Sequence, residues 1–156
     1  MTTQTQIKPV RKTISVQAPP DKAFAVFTEG IATWWPLATH SVGAERQDVH
    51  ADTVVFETRA GGRLFERLSD GREVDWGEVV VWEPPNRIVL TWHPGYEDPS
   101  LATEIEVRFD AVRGGTRLEL EHRAWERLRQ RAQRARESYD SGWDTTLSRY
   151  VEAFSA

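Results

Sequence analysis

Apolar and polar positions alternate along much of the chain. In 10–17, Val10, Lys12, Ile14 and Val16 fall on one side and Arg11, Thr13, Ser15 and Gln17 on the other, which predicts a half-buried strand. Pro19-Pro20 ends it. Asp21 then offers an N-cap, and Ala23, Phe24, Val26 and Phe27 follow at helical spacing, so a short amphipathic helix is expected, closed by Gly30. Residues 31–35 predict one more helical turn before Pro36. Residues 37–52, with His40, Gly43 and His50 among polar neighbours, read as a long loop, the kind that carries function or moves.

Strand patterning resumes at 53–58, with Val54 and Phe56 on one face, and dominates 61–92 (GGRLFERLSDGREVDWGEVVVWEPPNRIVLTW). That stretch predicts three consecutive antiparallel strands at 63–68, 73–82 and 87–92. They are separated by the turn residues Ser69-Asp70-Gly71 and by Pro84-Pro85-Asn86, where a ladder cannot continue. The middle strand is apolar on both sides. Trp76, Glu78, Val80 and Trp82 share one face and Gly77, Val79 and Val81 the other, so alternation alone leaves open which face looks inward. Residues 93–100 are Pro/Gly-rich and predict a loop. Two strands at 103–112 and 116–122 flank a Gly114-Gly115 hairpin. They present Thr103, Ile105, Val107, Phe109, Leu118, Leu120 and His122 to one side. The remainder is helical: 125–138 carries only a thin apolar stripe, whereas Trp143, Leu147, Tyr150, Val151 and Phe154 in 140–154 form a single face. The order is strand, two short helices, six strands and a long helix. It predicts an α+β architecture in which a curved antiparallel sheet of six or seven strands wraps the C-terminal helix, with room for an apolar cavity between them.

Composition narrows the chemistry. The 156 residues suit one domain, 9–156, after a flexible N-terminus at 1–8. A net charge of −4 gives no general reason to bind nucleic acid. The absence of cysteine excludes disulfides, thiolate catalysis and Cys-based zinc sites. No apolar leader or membrane-length stretch is present, which points to the cytoplasm. Seven tryptophans are many for this length, and rings of that size belong in a core or a cavity wall.

His40, His50, His93 and His122 show no metal-ligand spacing, so no metal and no cofactor is expected. His122 continues the inward face of Leu118 and Leu120. It is read either as a buried histidine bonded to a neighbour or as a ligand anchor or general base, with Glu66 or Glu78 as the partnering carboxylate. Glu78 becomes a buried acid only if its face of 73–82 turns inward; otherwise it is solvated or ion-paired. The Arg-rich run 126–136 winds its charges around a helix and is read as a solvated face. No GxSxG elbow and no phosphate-binding glycine loop occurs.

Several of these features occur together in one known group. Trp34-Trp35-Pro36, Gly61-Gly62-Arg63 with Phe65-Glu66, Trp76-Gly77-Glu78-Val79, and Pro84-Pro85 with Leu90-Thr91-Trp92 resemble the START/SRPBCC superfamily, and within it the Aha-type branch, named for an activator of the heat-shock chaperone ATPase. Gly115-Thr116-Arg117, Leu118 to His122 and Gly142-Trp143 extend the resemblance to the C-terminus. The resemblance implies a helix-grip fold with an internal apolar cavity and carries no catalytic motif common to the branch. It implies a domain, monomer or homodimer, that holds an apolar or aromatic small molecule. The expected lining is Trp34, Trp35, Phe56, Phe65, Trp76, Trp92, His122 and Trp143. A cyclase or hydrolase using His122 and a chaperone-interacting regulator are the alternatives.

Overall fold

The computed structural model describes residues 7–46, 49–95 and 98–155. Most of the expected N-terminal segment 1–8 lies outside them. Strand β1 (Val10–Val16) is followed by helix α1 (Pro20–Phe27), a 3-10 turn (Ile31–Thr33) and a short helix α2 (Val42–Arg46). Strands β2 (Ala51–Phe56), β3 (Arg63–Leu68), β4 (Glu73–Glu83), β5 (Arg87–Trp92), β6 (Thr103–Val112) and β7 (Gly115–Arg123) come next. A 3-10 segment (Trp125–Arg131) then leads into helix α3 (Ala132–Glu152). The sheet has seven strands in the order β1-β7-β6-β5-β4-β3-β2, all antiparallel. β2 to β7 form a meander, and β1 returns to pair with β7, Val10 opposite His122 and Val16 opposite Thr116. The sheet curls into a half-barrel around α3, the helix-grip arrangement. Among the described residues no helix is long and apolar enough to cross a membrane.

Three local expectations are corrected. Asp21 is not the N-cap: the cap position is Pro19 and α1 begins two residues earlier than expected, at Pro20, where the missing N–H is no loss. The stretch 37–52 is not one loop, because it folds into α2 and the start of β2. The C-terminal helices at 125–138 and 140–154 are divided differently. The break falls at Arg131/Ala132, after a residue with non-helical geometry (Arg129, φ 55°), and α3 then runs unbroken through Asp140.

The facing of β4 has an answer that strict alternation could not supply. Trp76 and Trp82 point inward, but Glu78 and Val80 do not. Two register shifts flank the middle of the strand. Against β3, Leu64 pairs with Gly77 while Phe65 pairs with Asp75; against β5, Val79 pairs with Leu90 while Val81 pairs with Val89. Each extra residue flips the alternation once. Val79 therefore replaces Glu78 on the inner face, and the second flip returns Trp82 inward. Gly77 permits the first shift, because a Cβ there would run into the carbonyl of Thr91. Glu78 is exposed, so it is not a buried acid.

The two faces of the sheet differ in chemistry. The inner face buries Ile88, Leu90, Ile105, Val107, Phe109, Leu118 and Leu120 against α1 and α3. The outer face is tied by ions: Glu106 accepts from Arg87 (2.6 Å), Arg108 (2.9 Å) and Arg123 (2.6 Å), joining β5, β6 and β7. Burial pushes the Glu106 carboxyl up, but these guanidinium hydrogen bonds outweigh it and bring the pKa down to about 2. Phe65 also lies on this outer face, between Arg63 (4.1 Å from ring centre) and Arg67, because it is out of phase with the inward Leu64, Glu66 and Leu68.

Candidate functional site

At one end of the grip, beside the first half of α3, the interior is not filled. Trp76 of β4 and Trp92, the last residue of β5, face inward on neighbouring strands, their rings 5.7 Å apart. Trp35, just after the 3-10 turn, packs on both, at 5.2 Å and 6.0 Å. Tyr139 of α3 approaches Trp92 at 6.5 Å. These rings, with Thr103, Leu101 and Leu128, bound an open cavity of about 640 Å³. Its rim is polar: Thr39, His40, Ser41 and Glu45 on one side, Arg131, Arg134 and Ser138 on the other.

The N–H groups of the tryptophans that border the cavity are fixed with one exception. Trp35 donates to the carbonyl of His40 (2.6 Å) and Trp76 to Glu66 Oε1 (2.7 Å). Trp92 Nε1 is buried and has no partner, the one such buried side-chain polar atom among the described residues.

Glu66 explains α2. It is fully buried on β3, and its carboxylate accepts from the backbone N–H of Val42 (2.6 Å) and Gly43 (3.0 Å) as well as from Trp76. A carboxylate at the start of a helix satisfies donors that have no intrahelical partner. Glu66 thus fastens the rim segment to the sheet and holds the Trp76 ring. These bonds are structural, and none of them reaches His122.

His122 is also fully buried. Trp143 Nε1 donates to its Nδ1 (3.0 Å), and indole has no acceptor, so the imidazole proton sits on Nε2. Nε2–H then donates to Thr103 Oγ1 (2.7 Å), which donates to the carbonyl of Trp92 (3.2 Å). Trp125 lies against the ring at 4.1 Å. Burial alone brings the pKa down to about 3, so the ring is neutral. Both nitrogens are engaged and no carboxylate among the described residues hydrogen-bonds to the ring, which leaves no lone pair for base catalysis. Sequence reasoning placed His122 on the inner face correctly, but the cavity does not reach it.

The structure brings together Trp35, Trp76 and Trp92 of the expected lining. The other five lie elsewhere. Trp34 points into the core, donating to the carbonyl of Val26 (2.8 Å). Phe56 packs toward Trp82 at 6.2 Å, Phe65 is on the outer face, and His122 and Trp143 form the buried pair behind Trp92. Sequence reasoning missed Tyr139, Thr103 and the rim arginines. Thr103 had a signal, since it was read on the inner face. Tyr139 had none, because it fell between the two helices expected there. Among the described residues, no three His, Cys, Asp or Glu side chains gather to hold a metal ion.

Comparison with known proteins agrees with this architecture. An anthrahydroquino-γ-pyrone synthase, Txn09, solved in complex with SUM, is 33% identical over 94% of this chain and 97% of its own, with a TM-score of 0.65. The self-sacrificing resistance protein CalC from Micromonospora echinospora is 28% identical over 94% of both chains, with a TM-score of 0.68. The Aha1 dimer from Colwellia psychrerythraea, at 16% identity over 95% of this chain and 96% of its own (TM-score 0.65), shares the fold. None of the curated proteins compared matches the chain. The model of the family described as "Activator of Hsp90 ATPase homolog 1-like protein" matches residues 17–155, nearly the whole sequence. The chain belongs to that family.

Proposed function

We propose that this protein binds a planar aromatic small molecule in the cavity bounded by Trp35, Trp76, Trp92 and Tyr139. One observation carries the reading: three indoles and a phenol meet around about 640 Å³ of open space, in an interior that is otherwise close-packed. Stacking on such rings is favourable for any flat π-system and adds to the burial of its area. The likeness to a synthase of a fused-ring product supports a ligand of this shape.

The test is intrinsic tryptophan fluorescence titrated with tricyclic aromatics, flavonoids and lipids. Three of the seven tryptophans border the cavity, so a bound aromatic quenches a large share of the signal. Saturable quenching by flat aromatics and not by acyl chains is the expected result. No saturable change with any compound sinks the reading.

The 33% identity to a synthase favours a second reading, a ring-closing enzyme at the same cavity. His122 with Glu66 or Glu78 is not the apparatus for it: the first two are committed to structural bonds and the third is exposed on the strand. The ionisable groups on the rim are His40, His93, Glu45, Arg131 and Arg134. Product formation from a poly-β-carbonyl substrate, lost in His40→Gln or His93→Gln, would replace binding with catalysis as the role.

A further inference from the structure

We propose that Trp92 is the specificity determinant of the cavity and selects aromatic ligands that carry a ketone-type oxygen over the matching hydrocarbons. The inference rests on the ligand-binding reading above and adds to it the chemical class of the ligand.

An indole N–H is a donor only, and buried donors in folded proteins are nearly always paired. The other indoles of the wall obey this rule, Trp35 through the His40 carbonyl and Trp76 through Glu66, as does Trp143 behind it through His122. Trp92 breaks it, although the residue is only 5% exposed and borders the cavity. The exception falls on a residue that borders the cavity. A carbonyl oxygen reaching Nε1 supplies the missing acceptor, and a hydrocarbon of the same outline cannot.

The rings around Trp92 differ in burial. Trp92 touches the rings of Trp35, Trp76, His122, Tyr139 and Trp143. Trp76, His122 and Trp143 are buried and locked by their own hydrogen bonds. Trp35 and Tyr139 are half-buried and form cavity wall, so a ligand in the cavity lies against these two rings and Trp92. At the rim Arg134 favours an acidic substituent on the ligand.

The experiment compares 9-fluorenone-2-carboxylate with fluorene-2-carboxylate by isothermal titration calorimetry, on the wild-type chain and on Trp92→Phe. The two compounds present the same charge to the rim and differ at one ring position, C=O against CH₂. The wild type is expected to bind the ketone about tenfold more tightly, the effect of one hydrogen bond to an otherwise unpaired buried donor. Trp92→Phe, checked for folding by circular dichroism, is expected to bind both with equal affinity. Equal binding of the pair by the wild type, which needs no variant to fold, overturns this inference and leaves the binding reading standing. A ketone preference that survives in Trp92→Phe assigns the acceptor contact to another group and likewise overturns it. Binding of neither compound overturns both this inference and the reading beneath it.

Discussion

Trp34 and Trp35 are adjacent in the chain and stand in opposite halves of the interior. Trp34 joins a closed half, where its ring meets Phe27 at 5.3 Å and Tyr150 at 5.2 Å, and Phe24, Phe27 and Phe109 complete an edge-to-face cluster. Two polar handles there are tied to α1: Trp34 donates to Val26 and Tyr150 to Ala23 (2.7 Å). Trp35 joins the open half, is half-buried, and its neighbours leave a cavity and an unpaired N–H. The difference teaches that the space is not a shortage of large side chains, since tryptophans are denser in the open half. The closed half is capped by a helix lying on the sheet, whereas the open half is capped by a turn and a five-residue helix held through one carboxylate.

That contrast makes its largest prediction at Trp34. Trp34→Ala removes a buried ring from a packed cluster and should cost about 3–5 kcal/mol. Urea unfolding measures it. A loss under about 1 kcal/mol would mean the closed half is loosely packed and the contrast false.

The next effect belongs to the fastening of the open half. Glu66→Ala leaves the N–H groups of Val42 and Gly43 and the Trp76 indole without acceptors. Three orphaned buried donors at about 1 kcal/mol or more each give a loss of roughly 3 kcal/mol. The cavity should suffer with it, because Trp76 and the rim lose their anchor. Aromatic binding weakened in proportion to that loss sharpens the comparison; unchanged binding would show the cavity to be independent of α2.

How much of this was legible follows from where each determinant sits in the chain. β5 and β6 were read with their observed bounds, because alternation of Thr103, Ile105, Val107 and Phe109 with charged residues is a local signal. The inward face of His122 followed from the same parity. β4 was ambiguous for a physical reason: its bulges depend on register against β3 and β5, and only the clash at Gly77 hints at one of them. α2 was invisible because its N-terminal acceptor comes from Glu66, 23 and 24 residues away. Trp34 and Trp35 looked equivalent in sequence, since which of two adjacent side chains faces a cavity depends on where a 3-10 turn ends.

A third effect tests the boundary between the halves, where His122 and Trp143 stand. The folded-state pKa of His122 is pushed down from 6.5 to about 3 by burial, so between those values the unfolded chain binds a proton that the folded chain does not. Stability therefore rises with pH across this window and falls as pH drops below about 6.5, by about 1.4 kcal/mol per unit. Between pH 6.5 and pH 5 the wild type should lose roughly 2 kcal/mol that His122→Gln does not lose. Glu106 does not confound the interval, since its stabilisation, with a pKa of about 2, is lost at lower pH. Parallel pH profiles for the two proteins would mean that the imidazole is reached by water.

The smallest effect returns to the neighbour of Trp34. Trp35→Ala removes a half-buried ring that already borders open space, so less packing is lost and little new cavity surface forms. The expected cost is about 1–2 kcal/mol, well under that of Trp34→Ala. The two variants differ by one position in sequence and carry the same chemical change, so intrinsic propensity and denatured-state effects nearly cancel between them. Equal losses would place Trp35 in a packed core in solution and close the cavity; the smaller loss at Trp35 keeps the open half open.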